Sequence, residues 1–378
     1  MSLYVIGVIP LLIWTYLLIG RGQFWRVAAH PAVLPPAAAR HVVVVIPARN
    51  EAALIGAAVD SIARQSFNGT IDLIVVDDGS TDGTAEAAVA AARAAGTSAR
   101  LRMLRGVTLP SGWTGKLWAL SQGVAAAAEL GADYLLFTDA DIRHAPTSVA
   151  SLVANAEAHK RDLVSHMVKL STATCAERLL MPAFVFFFFK LYPPAWVCDP
   201  QRKLAAAAGG CILIRPEALR RAGGLQAIRS HIIDDCALAR AVKDSGGPIA
   251  LELAAHTTSL RSYGSSTEIG GMISRTAFAQ LHHSYLLLAA TLLGLFVTYL
   301  LPAGLLFSGD VRLVCLGLAA LLAMSLCYLP MVRFYGLSPL WSLCLPLIAA
   351  FYAGAVVHSA VQHARGSGGK WKGRVQDA

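Results

Sequence analysis

The chain is poor in charged residues, and acidic residues are the scarcer kind. Of its 378 residues, 15% are charged, with 23 Asp and Glu against 32 Lys and Arg, so the net charge is +9, while 56% are hydrophobic. Soluble proteins usually carry roughly a quarter of charged residues. Between residues 284 and 364 the full charges are limited to Asp310, Arg312 and Arg333. This composition excludes a disordered or fibrous chain and predicts a membrane-embedded C-terminal part.

Cysteine patterns and several common motifs are also missing. The seven cysteines are scattered, without a CxxC pair or a Cys/His cluster, which excludes a zinc site and a small disulfide-stapled fold and indicates reduced thiols. No GxGxxG follows a strand-like run and no GxSxG occurs, so dinucleotide binding and α/β-hydrolase chemistry lack their fingerprints. Gly115-Lys116 looks like the end of a phosphate-binding loop, but Leu117 replaces the required Ser or Thr.

The first apolar run, residues 3–19, predicts an uncleaved membrane anchor over residues 1–20. No Lys or Arg precedes the run and no small-residue cleavage motif follows it, which argues against a cleaved signal peptide. Positive charges follow at Arg21, Arg26 and Arg40. By the positive-inside tendency, the next domain is expected in the cytoplasm.

Further apolar runs predict C-terminal membrane helices within residues 285–361. They cover residues 285–307, 311–332 and 337–361, and each is long enough, at about 20 residues, to cross about 30 Å of hydrocarbon. A basic tail follows at residues 362–378. If all four segments span and the globular domain is cytoplasmic, this tail lies outside, against the positive-inside tendency. One segment is therefore re-entrant or interfacial, or the tendency fails here.

A fifth apolar stretch, residues 179–197, is interrupted by Pro182, Lys190 and the Pro193-Pro194 pair. Motifs that must share one domain lie on both sides of it, and a membrane crossing there would separate them. We expect an interfacial helix that seats the domain on the lipid surface. A buried core segment is the alternative.

Residues 40–281 have the composition of a soluble α/β domain. Unbroken apolar runs at residues 41–46, 71–76 and 134–138 alternate with polar turns and Ala-rich stretches, which is typical of a parallel sheet covered on both faces. In such sheets, ligands bind beyond the carboxyl ends of the strands.

Each of these three runs is followed by acidic residues. The motifs are Pro47-Ala48-Arg49-Asn50-Glu51, Val76-Asp77-Asp78-Gly79-Ser80 and Asp139-Ala140-Asp141. Any one of them alone is compatible with turn or cap chemistry, and we assign Asp82 to that role. Together, however, clustered like charges at one sheet edge require a cation or a ligand.

Six elements, in order along the chain, resemble the inverting glycosyltransferases of family 2, which have a GT-A fold. Three are the motifs above, and the others are Gly115-Lys116 with Ala119-Leu120, Gly209-Gly210 and Asp234-Asp235. The segments GWTGKLWAL, TDADIRHAP and IDDCALARAVK, with flanking membrane segments, are similar to bacterial hopene-associated glycosyltransferases over nearly the whole chain. The resemblance implies an α/β GT-A domain with one N-terminal and about three C-terminal membrane helices.

The resemblance also implies a site for a nucleotide-sugar donor. The residues expected to line it are Pro47, Asn50, Glu51, Asp77, Asp78, Lys116, Asp139, Gly209, Gly210 and Arg275. Asn50, Glu51 and Asp78 are expected to face the base and ribose, with Asp77 supporting them, and Lys116 to approach the diphosphate. A solvated lysine at position 116 and an ordinary turn at Gly209-Gly210 are the alternatives.

The Asp-x-Asp spacing directs two carboxylates from a strand end toward one site. Such a pair suits Mg²⁺ or Mn²⁺ held partly by substrate phosphates. Asp141 is the expected primary metal ligand, and Asp139 is expected to face the ribose or the outer shell of the metal. The metal would neutralise the departing diphosphate.

Inverting transfer to a hydroxyl needs a base that removes the acceptor proton. Asp235 is the expected base, with Asp234 as its neighbour or the second candidate. Paired carboxylates raise one another's pKa, which helps a base. Helix capping is the alternative role for this pair.

The acceptor is expected to be a lipid. Relatives that polymerise sugars carry an Arg-Trp element before the C-terminal membrane helices, which residues 274–281 lack, so a single transfer is expected. We therefore predict a multi-pass protein of the bacterial inner membrane with a cytoplasmic catalytic domain. This domain is expected to transfer a sugar from a UDP-sugar to a hydroxyl group of a hopanoid-related lipid. Transfer to a polyprenyl phosphate and a non-catalytic lipid-binding scaffold are the alternatives, and no nucleic-acid partner is expected.

Overall fold

A computed structural model of the chain describes residues 2–27 and 39–366. The chain divides into two compact units. The sheet unit comprises residues 39–170 and 196–261, and the helical unit comprises residues 2–27, 171–195 and 262–366. Most of the predicted basic tail, from residue 367 onward, lies outside the described residues.

The sheet unit is built on one eight-stranded sheet, whose spatial order is β3-β2-β1-β4-β7-β6-β8-β5. The strands are β1 Arg40–Ala48, β2 Gly69–Asp77, β3 Leu101–Arg105, β4 Tyr134–Thr138, β5 Ile142–Arg143, β6 Leu163–Lys169, β7 Cys211–Ile214 and β8 Ile249–Ser259. Neighbours among β1 to β4 pair in parallel, as do β6 and β8. By contrast, β7 runs antiparallel to β4 and β6, and β5 runs antiparallel to β8.

Helices alternate with the strands from β1 to β4, whereas those within residues 266–364 follow β8 without an intervening strand. The helices are α1 Ser2–Ile19, α2 Ala52–Ala63, α3 Thr84–Ala94, α4 Gly115–Ala128, α5 Ser148–Ala158, α6 Cys175–Leu191, α7 Pro194–Val197, α8 Pro216–Arg221, α9 Asp234–Asp244, α10 Ser266–Ala277, α11 Tyr285–Leu295, α12 Leu301–Leu305, α13 Val311–Phe334 and α14 Leu345–Ala364. Short 3₁₀ segments lie at Ser98–Arg100, Leu225–Ile228, Ala279–Leu281 and Pro339–Cys344, and a π-helical turn, Phe296–Leu300, joins α11 to α12.

The predicted strands are present, and these three pair in parallel as predicted, although the sheet as a whole is mixed. The runs at residues 41–46 and 71–76 lie within β1 and β2, and the run at 134–138 coincides with β4. β1 is buried from residue 42 to residue 48, as expected for a strand covered on both faces. The sheet is mixed because β7 inserts antiparallel between β4 and β6. Strand direction depends on the path of the connecting chain, which a short apolar run does not encode.

The helical unit is made of apolar helices. Those long and apolar enough to cross a membrane are Cys175–Val197, Tyr285–Leu305, Val311–Phe334 and Pro339–Ala364, and the predicted N-terminal anchor is a shorter apolar helix at Tyr4–Ile19. The three C-terminal helices confirm that the apolar runs predicted within residues 285–361 are helical and long enough to span a membrane. The interfacial placement of residues 179–197 remains a prediction.

Within the helical unit, α6 is held by aromatic and polar contacts. Phe186 packs edge-on against Tyr328, with ring centroids 5.0 Å apart. Lys190 donates a hydrogen bond to the Tyr299 hydroxyl over 2.8 Å. Arg21 donates hydrogen bonds to the carbonyls of Lys190 and Leu191, both over 3.1 Å, so it satisfies carbonyls that the end of α6 leaves open.

Candidate active site at the strand ends

The acidic motifs lie along one edge of the sheet. β1 pairs with β2 so that Ala48 lies opposite Asp77, and it pairs with β4 so that Val45 lies opposite Phe137. Because all three strands are parallel, their carboxyl ends lie side by side. The Asn50, Asp78 and Asp139 motifs therefore begin at neighbouring points of this edge.

The loops after β1 and β2 are joined by hydrogen bonds of their own side chains. The Asn50 amide oxygen accepts a hydrogen bond from the Thr81 N–H over 2.9 Å, and the Asn50 N–H donates to the Ser80 hydroxyl over 3.0 Å. The Asp77 carboxylate accepts a hydrogen bond from the Ser80 N–H over 2.9 Å. Asp77 thus stabilises the turn, and its supporting role toward a bound nucleotide stays a prediction.

Asp78 and Asp82 have different surroundings. Asp78 is buried and lies 3.6 Å from the Arg49 guanidinium, which also donates to the Asp78 carbonyl. Asp82 accepts hydrogen bonds from the Thr84 hydroxyl over 2.5 Å and the Ala52 N–H over 3.1 Å. The hydrogen bond from Thr84 lowers the pKa of Asp82. Asp82 is therefore a turn residue that joins the starts of α2 and α3, as predicted.

A pocket at this edge, termed the strand-end pocket, brings together residues that are far apart in sequence. The predicted site residues that line it are Pro47, Lys116, Asp139, Gly209, Asp234 and Asp235. Apolar side chains such as Leu225 and Ile228 complete its wall. The pocket thus combines one lysine and three carboxylates in a lining that is otherwise mostly apolar.

Lys116 is the central cation of the strand-end pocket. It lies in the first turn of α4, and its ammonium nitrogen is 2.8 Å from a carboxylate oxygen of Asp139 and 3.5 Å from one of Asp234. Its side chain is 20% exposed, so it is not a solvated surface lysine. Burial alone would lower the pKa of Lys116, but the charges of Asp139 and Asp234 outweigh burial and raise it. Lys116 is therefore a permanent positive charge at physiological pH.

Asp235 lies beside this cation with an unusual proton affinity. Its carboxylate accepts hydrogen bonds from the Gly209 N–H over 2.8 Å and the Cys236 N–H over 2.7 Å. Burial, followed by the charge of Asp234, raises the pKa of Asp235 to about 6, although Lys116 acts in the opposite direction. A carboxylate with a pKa near physiological pH is suited to accept a proton in a reaction.

The capping alternative for the Asp234-Asp235 pair fits the geometry less well. α9 begins at Asp234, its N-cap residue is Ile233, and no side-chain cap is formed there. Both acids instead occupy the first helical turn, where the helix dipole favours negative charge. Both line the strand-end pocket, and Asp235 also accepts the first-turn N–H of Cys236.

Gly209 has little room for a side chain. A Cβ atom there would lie 3.2 Å from the Lys116 ammonium nitrogen and 3.3 Å from an Asp235 carboxylate oxygen. We expect Gly209→Ala to lower the turnover number by roughly tenfold, because a small displacement of reacting groups is costly. Gly56→Ala on α2, where a Cβ meets nothing closer than 3.8 Å, is the matched control. Equal steady-state rates for the two variants would contradict a role for the close approach at Gly209.

Arg261 is a site residue that the sequence analysis missed. It follows β8, and its guanidinium donates to Asp141 over 2.7 Å and to Glu51 over 2.5 Å. Burial and the charge of Asp139 raise the pKa of Asp141, while Arg261 opposes this rise. The available signal was a basic residue two positions after the end of the strand at residues 249–259, but only the fold shows which carboxylates it meets.

Gly210 and Arg275, which were also predicted as site residues, are not among the residues that line the strand-end pocket. The Gly210 carbonyl accepts a hydrogen bond from the Thr138 hydroxyl over 2.9 Å, which ties the start of β7 to the end of β4. Arg275 lies on α10 in the helical unit. Its predicted contact with the donor diphosphate stays a prediction.

The donor atoms at this edge fit a divalent cation held jointly by protein and substrate. Among the described residues no three His, Cys, Asp or Glu side chains form a metal-binding group. Asp139 and Asp141 nevertheless supply hard oxygen donors, and the raised pKa of Asp141 reflects burial and negative charge that a cation relieves. Mg²⁺ and Mn²⁺ commonly take one or two protein carboxylates and complete their shell with phosphates and water.

Comparison with known proteins agrees with this architecture. Residues 43–223 match the family described as Glycosyl transferase family 2, whereas no curated protein matches the chain. The chain is similar in fold to the mannosyltransferase PcManGT from Pyrobaculum calidifontis, solved in complex with GDP-Man and Mn²⁺. The two are 19% identical with a TM-score of 0.57, over 95% of this chain and 99% of that one.

A second solved structure is less similar. Glucosyl-3-phosphoglycerate synthase from Mycobacterium tuberculosis, in complex with Mg²⁺ and uridine-diphosphate, is 23% identical with a TM-score of 0.42, over 64% of this chain and 79% of that one. The likeness in fold to the mannosyltransferase is the stronger of the two. The chain therefore carries a GT-A domain that matches glycosyl transferase family 2, together with apolar helices, mostly C-terminal, that are long enough to cross a membrane.

Proposed function

We propose that this protein is a membrane-anchored, inverting glycosyltransferase. It transfers a sugar from a nucleotide sugar, a UDP-sugar, to a hydroxyl group of a hopanoid-related lipid. The proposal depends mainly on the surroundings of Asp235. Its carboxylate is partly buried, has a pKa of about 6 and lies in one pocket with Lys116 and Asp139. This is the environment that a base for a neutral hydroxyl requires.

In the proposed reaction the acceptor oxygen attacks the anomeric carbon while Asp235 takes the hydroxyl proton. A new carbon–oxygen bond forms, and the bond to the diphosphate breaks with its electron pair leaving on the diphosphate oxygen. The positive charge of Lys116, held by Asp139 and Asp234, is placed to stabilise that developing negative charge. Asp234 serves mainly to hold Lys116 and to raise the pKa of Asp235.

The donor site in this proposal lies along the ends of β1, β2 and β4. Asn50, Glu51 and Asp78 contact the nucleoside, Asp77 holds their loop, and Pro47 lines the pocket wall. The sugar or the acceptor lies against the backbone of Gly209 and Gly210 in this proposal, and the missing side chain of Gly209 lets Lys116 and Asp235 approach that backbone closely. Asp141 and Asp139 would hold Mg²⁺ or Mn²⁺, which when bound would supply Lewis-acid neutralisation of the departing diphosphate.

The membrane part of the proposal is supported by the helical unit. Several of its helices are long and apolar enough to cross a bilayer, which suits a substrate that is delivered from lipid. The positive charges after α1, at Arg21 and Arg26, favour a cytoplasmic catalytic domain at the bacterial inner membrane. The family described for residues 43–223 comprises glycosyl transferases, so enzyme activity is favoured over a scaffold.

The proposal is tested by transfer assays on the full chain in detergent or vesicles. A panel of UDP-sugars and GDP-mannose is offered with extracted bacterial lipids, and products are identified by mass spectrometry. Formation of a glycolipid from one donor is expected. If no member of the panel binds in calorimetry, the scaffold alternative replaces the proposal.

Metal removal gives a further expected result. EDTA should lower transfer by about 100-fold, with recovery on addition of Mn²⁺, and Asp141→Ala should cause a loss of similar size because a carboxylate ligand is removed. Asp60→Ala, which removes an exposed carboxylate paired with Arg64 on α2, is the control and should retain normal activity. Activity unaffected by both EDTA and Asp141→Ala would contradict the metal assignment.

A further inference from the structure

One arginine joins two parts of the donor site that the chain contributes separately. The Arg261 guanidinium contacts Asp141, the proposed metal ligand, through Nε and Glu51, the proposed nucleoside ligand, through a terminal nitrogen. The two carboxylates lie 120 and 210 positions away in sequence. One side chain therefore occupies a metal subsite and a nucleotide subsite at once.

These contacts are part of a firmly built site. The side chains of Asp141 and Glu51 are 13% and 11% exposed, so each charge needs a partner. The Leu260 N–H donates to the Asp141 carbonyl over 2.7 Å, and β5 pairs with β8 through Ile142 and Ser259. The backbone on both sides of the ion pair is thus fixed, and Arg261 is directed at the two carboxylates by the end of β8.

We propose that Arg261 is a coupling residue that makes divalent-cation binding depend on nucleotide binding. The inference is based on the proposed function. A guanidinium and a divalent cation compete for the same Asp141 carboxylate, so the cation binds weakly while Arg261 is paired there. A nucleoside diphosphate offers Arg261 a second anion, because guanidinium groups pair strongly with phosphate oxygens. Diphosphate binding then releases Asp141 to the cation.

Glu51 gives this coupling its direction. It follows β1, and its N–H donates to the Thr84 hydroxyl over 2.8 Å, so its backbone is held in the same loop as Asn50. A nucleoside that contacts Glu51 weakens the second anchor of Arg261 at the same time. Loss of Arg261 is therefore expected to raise the affinity for the free cation and to lower the benefit that nucleotide confers.

The experiment measures Mn²⁺ binding to the full chain in detergent. Free Mn²⁺ is followed by electron paramagnetic resonance during titration, without nucleotide and with saturating UDP or GDP. In the wild type, nucleotide should tighten Mn²⁺ binding. In Arg261→Gln, Mn²⁺ without nucleotide should bind about tenfold tighter than in the wild type, since a charge-assisted hydrogen bond no longer has to be broken. The tightening by nucleotide should shrink by a similar factor.

Two further variants protect the test from a folding artefact. Arg221→Gln removes another arginine of the sheet unit that is paired with a carboxylate, Asp162, and should leave Mn²⁺ binding unchanged. Arg261→Lys keeps the charge but cannot contact Asp141 and Glu51 as a planar fork, and its Mn²⁺ affinity should lie between those of the wild type and Arg261→Gln.

The outcomes separate the inference from the proposed function. Nucleotide binding that persists while Arg261→Gln and the wild type bind free Mn²⁺ equally would overturn the coupling and leave the transferase proposal intact. Equal tightening by nucleotide in both proteins would overturn it as well. If neither UDP nor GDP binds to any of the proteins, the proposed function is wrong and the inference is overturned with it.

Discussion

Asp235→Asn is expected to lower the turnover number by about 10³-fold, the range that loss of a general base produces. Asparagine keeps the size of the side chain but cannot accept the acceptor proton. The nucleotide sugar should bind nearly as before, because the loss concerns proton transfer and not the donor. Steady-state transfer rates and calorimetric donor binding, measured on the same preparation, check the two parts of this result.

The wild-type rate should also depend on pH in a defined direction. Asp235 must be ionised to act as a base, so activity should rise with pH through about 6, its raised pKa. The Asn variant should lack this rise. The pKa of Asp235 is higher in the folded protein than is ordinary for aspartate, so its contribution to stability is complete at low pH and is lost as pH rises through about 6. The melting temperature of Asp235→Asn should therefore rise relative to that of the wild type as the pH is raised from acid to neutral.

The control for this experiment is another aspartate of the same helix. Asp244→Asn changes an exposed residue at the end of α9 and should leave the rate unchanged. If Asp235→Asn keeps substantial activity, a hydroxyl acceptor is contradicted and transfer to a polyprenyl phosphate is favoured, because a phosphate acceptor is already an anion.

Lys116→Met is expected to affect stability and activity together. Its removal leaves Asp139 and Asp234 without the cation that lies 2.8 Å and 3.5 Å from them. A fully buried pair broken in this way costs several kcal/mol, but Asp139 is 36% exposed, so a loss of about 2 kcal/mol in the free energy of unfolding is expected. Turnover should fall by about 100-fold, since a charge facing the departing diphosphate is lost.

The same variant should move the pH dependence. Lys116 lowers the pKa of Asp235, against burial and Asp234, so its loss should shift the rise of the residual activity to a pH above 6. Lys203→Met, at an exposed position of the same unit, is the matched control. An unchanged pH profile in Lys116→Met would show that Lys116 and Asp235 do not interact as the geometry indicates. Denaturant unfolding and the pH dependence of the rate are the two measurements.

Much of the framework followed from local sequence alone. The apolar run at residues 134–138 coincides with β4, and acidic residues directly after it mark the strand end. Such strands are recognisable because burial on both faces demands unbroken apolar side chains. The apolar runs of the C-terminal part were equally legible, since a helix long enough to span a bilayer needs about 20 apolar residues.

Other features depend on which strands become neighbours. β7 is a short apolar run whose antiparallel direction comes from the path of the chain around it. The residues next to Lys116 in sequence are uncharged and indicate no ion-pair partner for it. Its ion pairs arise because α4, the end of β4 and α9 meet at one pocket. The raised pKa of Asp235 likewise needs both burial and Asp234, and burial is a property of the fold.

Local sequence therefore predicts the α/β fold class, the apolar helices and the acidic motifs at three strand ends, because these depend on side chains close together in the chain. The tertiary structure alone decided the mixed direction of the sheet, the pairing of Lys116 with Asp139 and Asp234, and the bridge that Arg261 makes between Asp141 and Glu51. The physical reason is that ion pairs form between charges that strand order brings within a few ångströms, and strand order is a property of the whole chain.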